Sequence, residues 1–113
     1  MAELGVVSSV TVFFKGVPIK FKIEVVARDG IDKETKKVAG IDAIEFKKEL
    51  QKITREMEYK GISHSLKTEG IEFYGMETIA QYVIKKLKNK FPIYYVKVWE
   101  GEDEWAIVYS NEI

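Results

Sequence analysis

Residues 19–25, IKFKIEV, alternate without a break: Ile19, Phe21, Ile23 and Val25 are apolar, while Lys20, Lys22 and Glu24 are charged. A period of two belongs to extended backbone, where successive side chains point to opposite sides. One face of this strand must be covered and the other can remain among charges. That is the signature of an antiparallel sheet backed on one side only. The rest of the chain has to supply the neighbouring strands and the cover.

Residues 5–15, rich in Val, Thr and Phe, read as a second extended segment, and Gly16 to Pro18 read as a turn. The two strands form a long hairpin. Residues 29–41, DGIDKETKKVAGI, are a polar connection. Asp42 can cap a helix. Beyond it Phe46, Leu50, Ile53 and Met57 recur at spacings of four, three and four, which is one apolar helical stripe ending at Gly61. Residues 62–74, with His64, read as irregular. A second helix is expected from about Gly75 to Asn89, with Met76, Ile79, Ala80, Val83, Ile84 and Leu87 as its stripe. Its lysines 85, 86, 88 and 90 suit the negative end of the helix dipole and a solvated face.

Pro92 opens a closing hairpin, VKVWEGEDEWAIVY over residues 96–109. Glu100 falls in phase with Val96 and Val98, so a row of inward side chains ends in a carboxylate. Such a group is costly to cover unless something satisfies it. The alternative is a Glu already in the turn, solvated beside Glu102, Asp103 and Glu104.

The expected order is ββααββ: an α+β chain with a four-stranded antiparallel sheet and two helices on one face. Its 113 residues suit one domain, 1–113. Phe14, Tyr95, Trp99, Trp105 and Tyr109 are too many aromatics for one small core, so some are expected to meet another subunit.

Composition removes several function classes. Lys plus Arg and Asp plus Glu are both 18, so no basic excess marks a nucleic-acid surface. Cysteine is absent, which excludes disulfides, thiolate metal sites and a cysteine nucleophile. The single histidine cannot form a multi-histidine metal site within one chain. No signal-like or membrane-length apolar run is present, and a cytoplasmic protein is expected. Abundant Lys and Glu with few Asn and Gln lean toward a thermophilic source.

The element order and several short motifs resemble the 6-pyruvoyltetrahydropterin synthase family, tunnelling-fold proteins that include the 6-carboxytetrahydropterin synthases. The motifs are Val96-x-Val98-x-Glu100 followed by Ala106 and Val108-Tyr109, Glu77-Thr78-Ile79-Ala80, Gly40 with Ile44-Glu45-Phe46, and Ser63-His64-Ser65-Leu66. The resemblance implies a ring of subunits whose sheets form a barrel, with sites at the interfaces. It implies that Glu100 anchors a pterin, accepting two adjacent N–H groups. It also implies that His64 stands at the catalytic histidine and that Glu77 is a second substrate contact, although Glu77 is equally placed to stabilise a helix N-terminus.

The chain departs from that family where zinc would bind. Lys15-Gly16-Val17 stands at the turn that carries histidines in the synthases, and Ser63 replaces the acid beside the catalytic histidine. The expectation is therefore a pterin-binding relative without metal or other cofactor, with a lyase acting on a dihydroneopterin derivative as its catalytic form. The alternatives are a non-catalytic binder of a pterin or purine-like ring, and a purely structural oligomer.

Overall fold

The computed structural model describes residues 1–113. β1 (Ala2–Phe14) and β2 (Val17–Asp29) are followed by α1 (Ala43–Lys60), α2 (Ile62–Lys67) and α3 (Met76–Leu87). β3 (Ile93–Glu100) and β4 (Glu104–Tyr109) close the chain, with a 3₁₀ turn at Ser110–Glu112. The strands form one antiparallel sheet in the order β1-β2-β3-β4. Two strands of thirteen residues, at about 3.3 Å per residue, account for the long axis of the 51 × 25 × 24 Å molecule.

Alternation decides which side of the sheet is covered. Phe21, Ile23 and Val25 are buried, and their partners across β3 are Glu100, Val98 and Val96. Across β1 their partners are Val10, Ser8 and Val6. The α1 stripe of Phe46, Leu50, Ile53 and Met57 is buried, as are Ile79, Ala80, Val83, Ile84 and Leu87 of α3. Phe46 is fully covered and its ring lies 4.7 Å from that of Phe91. Burying each such side chain contributes roughly 1.5–3 kcal/mol.

Local chemistry explains the boundaries. The Asp42 carboxylate accepts a hydrogen bond from the Ile44 amide at 2.9 Å and opens α1. Gly61 closes it at φ +89°, donating its amide to Met57 O. Lys15 and Gly16 form the tight turn of the first hairpin at φ +51° and +78°. Positive φ at both central residues matches the twist of the flanking strands. The connection 29–41 is more ordered than its polarity suggests. Asp32 Oδ1 accepts from the amides of Glu34 and Thr35, both at 2.9 Å, and Ile31 bridges to Val38. These two amide bonds hold the Asp32 carboxyl below its ordinary pKa.

Three sequence readings are revised. Residues 62–67 are a short helix rather than irregular chain. Ile62 and Leu66, four apart, bury one face, and Ser65 Oγ donates back to Gly61 O at 2.9 Å. Gly75 precedes the next helix instead of beginning it, and β1 extends back to Ala2. Phe14 shares the inward phase of Val10 and Val12, whereas Tyr95, Trp99, Trp105 and Tyr109 occupy the uncovered face. No helix is long and apolar enough to cross a membrane.

Truncating Phe46 to Ala should destabilise the fold by about 3–5 kcal/mol in chemical denaturation, through lost transfer energy and the cavity left behind. The same truncation at Tyr59, 90% exposed on the same helix, should stay within about 0.5 kcal/mol.

Candidate functional site

The fold carries His64, Glu77 and Glu100 to one end of the sheet. β3 ends at Glu100, beside the start of β2. α1 runs in the direction of β1, since Thr54 meets Ser8 at 2.9 Å and Glu58 meets Thr11 at 3.0 Å. Its C-terminus, and therefore α2, lies at the end where β1 finishes. The Phe73 ring, just before α3, packs edge-on against Phe21 at 6.5 Å. Phe21 is in turn the register partner of Glu100.

Glu100 takes the inward phase read from the sequence, and the structure leaves it half-buried. The chain's ion pairs are Lys52–Glu49, Lys60–Glu56 and Lys90–Glu49, so the Glu100 carboxylate is in none of them. A cleft of about 380 Å³ opens beside it, walled by Pro18, Ile19, Lys20 and the turn from Gly101 to Glu104. Gly101 reverses the chain at φ +67°, a backbone region that favours glycine, and donates its amide to Lys20 O at 3.4 Å. A half-buried acceptor at the end of an apolar row can take paired N–H donors from a planar ring.

His64 occupies a different groove. It is exposed on α2 and lines a cavity of about 560 Å³ with Val12, Phe13, Phe14, Ile62 and Phe73. Glu58 and Lys60 bring the charges to that rim. The two cavities share no lining residue. The Phe21–Phe73 pair links them, because Phe21 adjoins Glu100 and Phe73 walls the His64 groove. The hairpin tip contributes two exposed rings, Phe13 at 74% and Phe14 at 62%. Sequence reading singled out His64 but not this apolar wall. The run Val12-Phe13-Phe14 against a tight turn was the available signal.

Glu77 is exposed in the first turn of α3, whose N-cap is Gly75 with no side-chain cap, and Thr78 ties the helix to the residues before it. Thr78 Oγ1 donates to Gly75 O at 2.7 Å and accepts the Tyr74 amide at 3.0 Å. Glu77 is the acid of the first turn, so its charge suits the helix N-terminus, the role that competes with ligand contact. It lines neither cavity. Among the lysines of α3 and the segment after it, Lys90 pairs with Glu49 at 3.4 Å and Lys85 donates to Glu69 O at 3.2 Å.

The donor set does not fit the zinc that the family resemblance implies. No three His, Asp or Glu side chains converge to hold a metal ion. The Lys15–Gly16 turn offers an ammonium rather than an imidazole, and His64 stands among phenyl rings.

A four-stranded antiparallel sheet with helices on one face, in this chain order, is the α+β tunnelling fold. Residues 19–111 match the family model of 6-pyruvoyl tetrahydropterin synthase, and the chain belongs to that family. No curated protein matches the chain. The match begins at Ile19, so β1 and the turn after it lie outside the matched residues. Membership supports a pterin-related function in general.

Because His64 is solvent-exposed, replacing it with Ala should change stability by no more than about 0.5 kcal/mol in urea denaturation. A larger loss would show that the imidazole supports the fold.

Proposed function

We propose that this chain binds a reduced pterin at Glu100 and acts, without metal, as a lyase on a dihydroneopterin derivative in pterin or folate-type cofactor metabolism. The observation that carries the binding half is the Glu100 carboxylate: inward in phase, half-buried, outside every ion pair and open to a cleft. An ionised carboxylate placed there would accept the amino and ring N–H of the pterin side by side. Glu77 is the second candidate contact. His64 is the proton carrier of the catalytic half. Its exposed imidazole leaves a ring nitrogen within reach of a ligand, and general acid–base chemistry needs that reach first.

One observation favours the second reading, a non-catalytic binder of a pterin or purine-like ring. Glu100 and His64 line separate cavities within one chain. A ring anchored at Glu100 would meet His64 only if the ligand spans the Phe21–Phe73 pair or if a neighbouring copy brings its own groove alongside. The exposed hairpin tip and the unpaired outer edges of β1 and β4 suit such a neighbour, since free strand edges invite pairing. The proposed protein is therefore a homo-oligomer with interfacial sites.

Calorimetric titration of dihydroneopterin should show binding to the wild type and a loss of roughly 2–4 kcal/mol in Glu100→Gln, which keeps the shape but loses the charge. Equal binding by both proteins would remove Glu100 from the site. If binding holds, incubation with dihydroneopterin decides between the readings: a cleaved pterin product identifies the lyase, and unchanged ligand identifies the binder. Sedimentation should give a mass that is a multiple of the 13.0 kDa chain, and a lone 13.0 kDa species would overturn the interfacial site.

A further inference from the structure

The uncovered face of the sheet holds an arrangement that meets the Glu100 cleft only at Lys20, Gly101 and Glu102. Lys20, Lys22, Lys97, Trp99 and Trp105 all point outward, opposite in phase to Glu100. Lys22 Nζ lies 4.6 Å from the centre of the Trp99 ring. Lys97 Nζ lies 4.2 Å from both Trp99 and Trp105. Glu24 is the direct cross-strand partner of Lys97, yet the two form no ion pair; the ammonium rests on the indoles instead.

This choice has a consequence for charge. A carboxylate partner would fix a lysine and also neutralise it. An indole fixes the ammonium through its ring quadrupole without a direct ion pair, although Glu24 stands on the same face. Lys20 and Lys22, two residues apart, stand about 6.6 Å apart along the same face. Neither is in an ion pair. Together with Trp99, Gly101 and Glu102 they line a cavity of about 350 Å³, within the ordinary range of small-molecule sites. Glu102 is the only carboxylate in that lining.

We infer that this face is a phosphate-binding site, in which Lys22, held over the Trp99 ring, acts with Lys20 on the phosphate group of a small molecule. Pre-positioned ammonium groups lose little side-chain freedom on binding, and charge-assisted bonds to phosphate oxygens are strong. The same chemistry serves free phosphate and a phosphorylated metabolite.

The chain supplies its own reporter, because its two tryptophans, Trp99 and Trp105, both belong to this face. Tryptophan emission should be followed while inorganic phosphate, ribose 5-phosphate or sodium chloride of matched ionic strength is added to the protein. A saturable change with phosphate and not with chloride is expected. Saturation by inorganic phosphate alone would identify the free ion as ligand. Saturation only by ribose 5-phosphate would identify a phosphorylated metabolite. The double variant Lys20→Gln/Lys22→Gln should bind roughly tenfold or more weakly. Lys22→Arg, which keeps charge and ring stacking, should retain binding, and Glu102→Gln should tighten it. Glu100 lines only the neighbouring cleft, so Glu100→Gln should change binding far less than the double variant does. A response that chloride reproduces, or one that survives in the double variant, would overturn the inference.

Discussion

The pleat of the central strands is the constraint on which the rest depends. β2 and β3 pair so that Phe21, Ile23 and Val25 lie beside Glu100, Val98 and Val96 on one face. Five of those six side chains are buried apolar groups that require a cover, and the stripes of α1 and α3 provide it. The sixth is a carboxylate held in phase by the same hydrogen bonds. Its position follows from the register, and a slip of one residue would send the whole row to the other face. The fold and the candidate pterin anchor therefore rest on one pattern.

That pattern is also why much of the fold was legible in the sequence. Ile19 to Val25 announced a strand with one covered face, and the four-three-four spacing from Phe46 to Met57 announced the helix that covers it. The short helix at Ile62–Lys67 was not legible, because six residues do not complete two turns of periodicity. Its evidence is a side-chain bond from Ser65 to Gly61 O, which a residue pattern does not display. The face that Phe14 takes was not legible for a related reason. A run of two phenylalanines fixes no phase by itself; the pairing of Phe14 with Val17 across the turn does. For the site, the residue types were legible and their grouping was not. Placing Glu100 and His64 in separate cavities depends on where Phe73 packs, far along the chain from Phe21.

Family membership and local chemistry bear on different parts of the chain. The matched residues contain the helices, Glu77, His64 and the Glu100 hairpin. The turn that distinguishes this chain, Lys15–Gly16, lies before them. Its flanking rings, Phe13 and Phe14, turn the groove beside His64 into an apolar wall. Such a wall favours contact with carbon surface, from a ligand or a neighbouring chain, over coordination of a cation.

β3 also explains how one short strand can support two unrelated chemistries. Its even residues, Val96, Val98 and Glu100, face the helices, while its odd residues, Tyr95, Lys97 and Trp99, face away. The covered face offers a carboxylate at the edge of an apolar row, with Glu104 across β4, suited to N–H donors on a planar ring. The open face offers ammonium groups resting on indoles, suited to oxyanions. Backbone hydrogen bonding occupies the plane between them, so no side chain of β3 serves both faces. A substitution at Glu100 can thus remove the acceptor without disturbing the cations over Trp99, and a substitution at Lys97 can do the reverse. What couples the two faces is the strand itself: anything that shifts the register of β3 against β2 moves the acceptor and the cations together.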